Sequence, residues 1–141
     1  MFTTSCFIRK NTPELRYKLE ELRYINGGKE RTYGEHDSLY CNCYVGRYYE
    51  CVQKPSRYES IIDCGDNEEL FLALVTMRDD TDINRWFKDL ETNELFICTK
   101  HSIYDMATAE DLEEYGDWIG IGMCKYQPAT VKEIIEHFKN K

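Results

Sequence analysis

The sequence predicts an α+β fold: an antiparallel sheet built from hairpins, with helices, about three in number, packed on one of its faces. Two patterns carry that expectation. Alternating segments come in pairs joined by short turns, and three segments with helical spacing follow cap residues. With 141 residues, 42% of them hydrophobic, the chain falls in the size range of a single compact domain spanning 1–141 that needs no staples.

The elements follow in order. Phe2 to Arg9 has strand character, after which Thr12 suits an N-cap and Pro13 the first helical position. Leu15, Leu19 and Leu22 then recur on one helical face until Gly27-Gly28, expected to end the helix. Ser38 to Tyr44 and Tyr48 to Val52 read as a hairpin around Val45-Gly46-Arg47, and Tyr58 to Cys64 as a further strand. Asp66 and Glu69 have capping-box spacing before a helix carrying Leu70, Phe71, Leu74 and Val75, with Arg78 placed to complement its dipole. Ile83 to Lys88 and Glu94 to Thr99 form a second hairpin around Glu91-Thr92-Asn93. A short helix is expected near Thr108 to Glu114, a strand from Ile119 to Tyr126, and a last helix after the Thr130/Glu133 capping box.

Composition excludes several classes. A net charge of −8 opposes general nucleic-acid coating, which depends on cations displacing condensed counterions. That charge is uneven: residues 1–34 hold seven basic and four acidic side chains, whereas Asp105, Glu110, Asp111, Glu113, Glu114 and Asp117 form an acidic stretch without a basic residue. The stretch reads either as a solvated loop or as an acidic surface imitating phosphates toward a nucleic-acid-binding partner. No apolar run approaches the ~20 residues of a membrane span. The seven cysteines are odd in number and follow no apolar leader pattern, so reduced thiols in a cytoplasm are expected.

Chemistry has few footholds. Cys41, Cys43, Cys51 and Cys64 lack the Cys-x2-Cys pairs of zinc ribbons and alternate with apolar residues, so no metal is expected there. His36, His101 and His137 are scattered, and Gly120-Ile121-Gly122 lacks the third glycine of a dinucleotide loop. No nucleophile, base and orienter stand at a diagnostic spacing. A non-enzymatic protein without a cofactor is expected, with a small hydrolase or phosphoesterase as the weakest alternative.

Six of the eleven tyrosines fall between Tyr33 and Tyr58. Alternation puts Tyr40, Asn42 and Tyr44 on one face of the first hairpin and Leu39, Cys41, Cys43 and Val45 on the other, core face. Tyr40, Asn42, Tyr44, Arg47, Tyr48 and Arg57 are therefore the expected contact surface: flat rings with polar tips beside guanidinium groups. Such a surface suits a protein partner, or a nucleotide-type small ligand stacked on the rings, a site that two subunits of an oligomer could share. The structural alternative is that tyrosine simply satisfies strand propensity on a half-exposed sheet.

Three segments, Thr4–Leu15, Ile62–Leu74 and Ala129–Phe138, resemble a family of small uncharacterised proteins from phages and mobile elements of gut bacteria. The resemblance carries over no catalytic residue. It implies an accessory protein acting on a host protein, such as an inhibitor of an antiviral defence component, in the cytoplasm of a bacterial host.

Overall fold

The computed structural model describes residues 4–30, 34–55, 61–77 and 81–139, and in 122–124 the backbone only. The chain divides into two compact units, one of Thr3–Met77 and the other chiefly of Arg78–Lys141, and each is described by itself. Helices and strands are mixed in both, as an α+β fold requires.

The N-terminal unit is built on a five-stranded sheet of order β2-β4-β3-β1-β5. Its strands are β1 (Ser5–Ile8), β2 (Ile25–Lys29), β3 (Ser38–Asn42), β4 (Arg47–Cys51) and β5 (Ile62–Asp63). The β3–β4 hairpin and the β1–β3 pair are antiparallel, but β1–β5 and β2–β4 are parallel, so the sheet is mixed rather than hairpin-only. Helix α1 (Pro13–Glu21) starts as expected: Thr12 is the N-cap, and its hydroxyl accepts from the Leu15 amide at 3.2 Å.

The end of α1 differs from the expectation. Arg23 takes a left-handed φ of 70°, and the Tyr24 amide folds back on the Leu19 carbonyl at 3.0 Å. The helix therefore stops before Gly27-Gly28, and the glycines belong to β2. Gly27 is needed there because a Cβ would lie 2.2 Å from Cε1 of the Tyr49 ring. Helix α2 (Glu68–Val75) also forms, but its N-cap is Asn67, whose side chain holds the Leu70 amide at 3.0 Å, not Asp66.

The C-terminal unit holds a three-stranded antiparallel sheet of order β7-β6-β8, from β6 (Trp86–Asp89), β7 (Leu95–Ile97) and β8 (Tyr126–Pro128). Phe87, Cys98 and Ile103 form its core, with Phe96, Met106 and Tyr126 against them. Helix α5 (Val131–Lys139) begins at the expected capping box, where Thr130 Oγ1 accepts from the Glu133 amide and Glu133 Oε1 from the Thr130 amide. Its Phe138 meets Trp86 edge-on.

Helix α3 (Ala109–Tyr115) fits the predicted short helix. The next element corrects the reading of the sequence: Trp118–Cys124 is a helix, α4, not part of a strand. Gly116 ends α3 with φ 82°, and Asp117 caps α4 through the Gly120 amide at 2.6 Å. At Gly120 a Cβ would come within 2.7 Å of the Tyr115 carbonyl oxygen, so the glycine permits a tight junction between two helices. The expectations for Phe2, for Tyr58 and for Arg78 lie outside the described residues. Among the described residues no helix is long and apolar enough to cross a membrane.

Candidate binding surface

Strand register decides which tyrosines reach solvent. Leu39, Cys41 and Tyr48 share one face of the N-terminal sheet with Cys6 and Ile8, because Cys41 stands opposite both Cys6 and Tyr48. Tyr40, Tyr49 and Cys51 share the other face with Phe7. Tyr40 and Tyr48 therefore cannot form one stripe.

Neither is exposed. Tyr40 is 0% accessible, packed with Phe7, Cys51 and Ile61 and stacked on Tyr49 at 5.9 Å. Tyr48 is 1% accessible, and its hydroxyl donates to Glu20 Oε1 on α1 at 2.9 Å. Burial and that carboxylate push its phenol up to about 12. The face expected to be open is thus covered, and β3 is buried along its whole length. The bulk of the rings explains this: a tyrosine offers more surface to bury than to display, provided its hydroxyl finds a partner.

Asn42 is buried too and builds the turn, its Oδ1 accepting from the Tyr44 amide at 3.1 Å. Tyr44, in contrast, is 78% accessible at the hairpin tip, and Arg47 is exposed. Arg57 lies outside the described residues. Val45, expected in the core, is exposed because the tip turns at residues 43–46 before the alternation can continue.

Pairing in space adds residues that the hairpin alone does not. The Ile25 amide donates to the Gly46 carbonyl at 2.9 Å, and Ile25 stands in register with Arg47. Ile25 is 63% accessible, so it, Tyr44 and Val45 gather apolar surface around the tip, with Arg23 and Arg47 supplying positive charge. Beside them a cleft is lined by Arg16, exposed Tyr17, Glu20 and Asn26. Ile25 is not legible as a surface residue in the sequence, because a helix running on to Gly27-Gly28 would include it. The backbone edge of β2 is itself blunted, since Asn26 Oδ1 accepts from the Gly28 amide at 2.8 Å. Side chains, not a free strand edge, make the surface.

Cys6, Cys41, Cys43, Cys51, Cys64 and Cys98 are core residues. Cys41 and Cys51 lie on opposite sheet faces, and no group of three or more metal-ligating side chains occurs among the described residues. Burial pushes the Cys51 and Cys64 thiols up to about 12, whereas hydrogen bonds with Cys41 and Cys6 hold that of Cys43 well below the usual range. The histidines do not converge on them: His36 Nε2 lies 3.0 Å from the Glu30 carbonyl oxygen, His101 is exposed, and His137 packs on Trp86.

The acidic stretch divides. Asp105, Glu110, Glu113, Glu114 and Asp117 are exposed, but Asp111 is buried and belongs to a local network. Its carboxylate accepts from the Thr108 amide at 2.9 Å, completing the α3 capping box, and meets Lys125 Nζ at 3.3 Å. The Thr108 amide, ahead of Lys125, holds its carboxyl below the ordinary range despite burial. Lys125 also bridges to Glu91 at 3.3 Å, and the Tyr115 hydroxyl bonds Glu91 as well.

No protein-family model matches the sequence, and searches of curated proteins and of solved structures found no match.

Proposed function

We propose that the chain is a non-enzymatic binding protein that engages a partner protein through the tip of the β3–β4 hairpin. The observation that supports this is the grouping of Ile25, Tyr44 and Val45 in solvent around one turn, flanked by Arg23 and Arg47. Large apolar side chains clustered in solvent and rimmed by charge have the composition of an interface centre. The basic rim, on a chain of net charge −8, suits an acidic surface on the partner. The resemblance of three segments to phage and mobile-element proteins supports a host protein as partner, and a host cytoplasm as the place of action. Inhibition of a defence component is the form of activity that context suggests. The nucleotide-sequestering alternative would have to rest on Tyr44 and Arg47, since Tyr40 and Tyr48 offer no open ring face.

Photo-crosslinking tests the reading. A photoreactive phenylalanine at Tyr44 is expected to give one dominant adduct in host cells, competed by unmodified protein and lost with Ile25→Asp or Arg47→Glu. The same probe at exposed Lys132 is the control. Equal adducts from both positions, or adducts indifferent to Ile25→Asp, would overturn it.

A further inference from the structure

The C-terminal unit carries a second apolar surface, edged with the opposite charge. Trp118 opens α4, and its ring meets the Tyr104 ring edge-on at a centroid distance of 5.9 Å. Trp118 is 46% and Ile119 70% accessible, and Tyr104 is exposed beside them. Their positions are set by capping rather than by burial. Ser102 Oγ accepts from the Tyr104 amide at 3.2 Å at the start of a 3-10 helix (Ile103–Met106), and Asp117 fixes the first turn of α4. Ile121 of α4 is fully buried, whereas Ile119 and Trp118 are left to solvent. Asp105 follows Tyr104, Asp117 precedes Trp118, and Glu113 and Glu114 are exposed on the last turn of α3.

We infer that this surface binds an arginine-rich segment of a protein partner. A guanidinium is the cation that uses both features: its plane stacks on an aromatic ring while its fork pairs with a carboxylate. Lysine offers the charge without the stacking plane, and a nucleic acid is repelled by the same carboxylates. Binding here is independent of the hairpin tip, whose basic rim excludes such a partner.

The test uses the full chain and a fluorescein-labelled peptide of about six Arg-Gly repeats, read by anisotropy, with a Lys-Gly peptide of equal length as comparison. Saturable binding is expected, tighter for arginine than for lysine. Loss of the stacking ring in Trp118→Ala should weaken it by about tenfold, with Trp118→Phe recovering most of the affinity. Raising salt from about 50 to about 300 mM should weaken it several-fold. Should Trp118→Ala not fold, Asp105→Asn/Glu114→Gln, which leaves the rings in place, decides: several-fold weaker binding is expected. No saturable binding, equal affinity for the lysine peptide, or affinity unchanged in these variants overturns the inference. So does sedimentation in which Trp118→Ala dissolves a self-associated species while the wild type ignores the peptide, since the surface then belongs to a second copy. Ile25→Asp leaves the peptide affinity unchanged, which separates this surface from the hairpin tip.

Discussion

In the N-terminal unit the tyrosine-dense hairpin buries Tyr40 and Tyr48 and leaves Tyr44 in solvent at its tip, whereas in the C-terminal unit Tyr104 and Trp118, fourteen residues apart and inconspicuous in the sequence, stand together in solvent. Aromatic density in a strand therefore marks packing here, and exposure arises where a cap or turn decides the direction of a side chain. The N-terminal unit buries both faces of its central strand β3, Tyr40 among Phe7, Cys51 and Ile61 on one of them. The C-terminal unit relies on a smaller sheet and on polar ties such as Asp111–Lys125–Glu91. The two should respond differently to core truncation and to acid.

The largest effect is expected at Tyr40. Tyr40→Ala opens a cavity in a strand with no solvent face to relax into, and should cost about 3–5 kcal/mol in urea unfolding. A cost near that of an exposed tyrosine would mean that the stripe is open after all. In the C-terminal unit Gly120→Ala places a methyl against the Tyr115 carbonyl and should cost about 1–3 kcal/mol. Here the readout is selective, because both tryptophans, Trp86 and Trp118, belong to that unit and their fluorescence follows it alone. Gly27→Ala drives a methyl into the Tyr49 ring, which is held in its stack on Tyr40, and should cost about as much.

Acid sharpens the contrast next. Glu91, Asp111 and Glu133 of the C-terminal unit are held below their ordinary range, Glu91 by the Tyr115 hydroxyl and Lys125, Asp111 by the Thr108 amide and Lys125, and Glu133, against its own burial, by the Thr130 amide and Lys88. In the N-terminal unit Asp63 is so held, by the Gly65 amide and Arg9. A depressed carboxylate contributes stability that is present above its unfolded value and is lost as pH falls through its folded one. Acidification below about pH 4 should therefore change tryptophan fluorescence at a higher pH than that at which amide-exchange protection of β1, β3 and β4 is lost. Coincident transitions would show that the units unfold as one.

Smaller effects complete the series. Thr108→Ala removes the α3 cap and should cost about 1 kcal/mol, visible as a lowered fluorescence midpoint. Tyr44→Ala should change stability by less than about 0.5 kcal/mol while weakening partner binding. A large stability loss there would place Tyr44 in the core and remove the proposed contact surface.

Local chemistry was legible along the chain. The Thr12 cap, the Thr130/Glu133 box, the amphipathic run after Asn67 and the turn before Arg47 each depend on residues within a few positions of one another, and each forms near where its pattern stands. The same locality made Gly120 and Gly122 look like interruptions of a strand. Asp117 after Gly116 was the available sign of a helix start, but only the close approach of Tyr115 shows why a glycine is required. Tertiary structure alone decided that the Tyr40 face is covered, that Ile25 joins Tyr44 and Val45, and that Tyr104 meets Trp118. Alternation assigns side chains to the two faces of a strand, but what lies over a face depends on strands and loops brought from elsewhere in the chain. For this protein the sequence determined the elements and their caps; packing at long range determined which surfaces remain to bind.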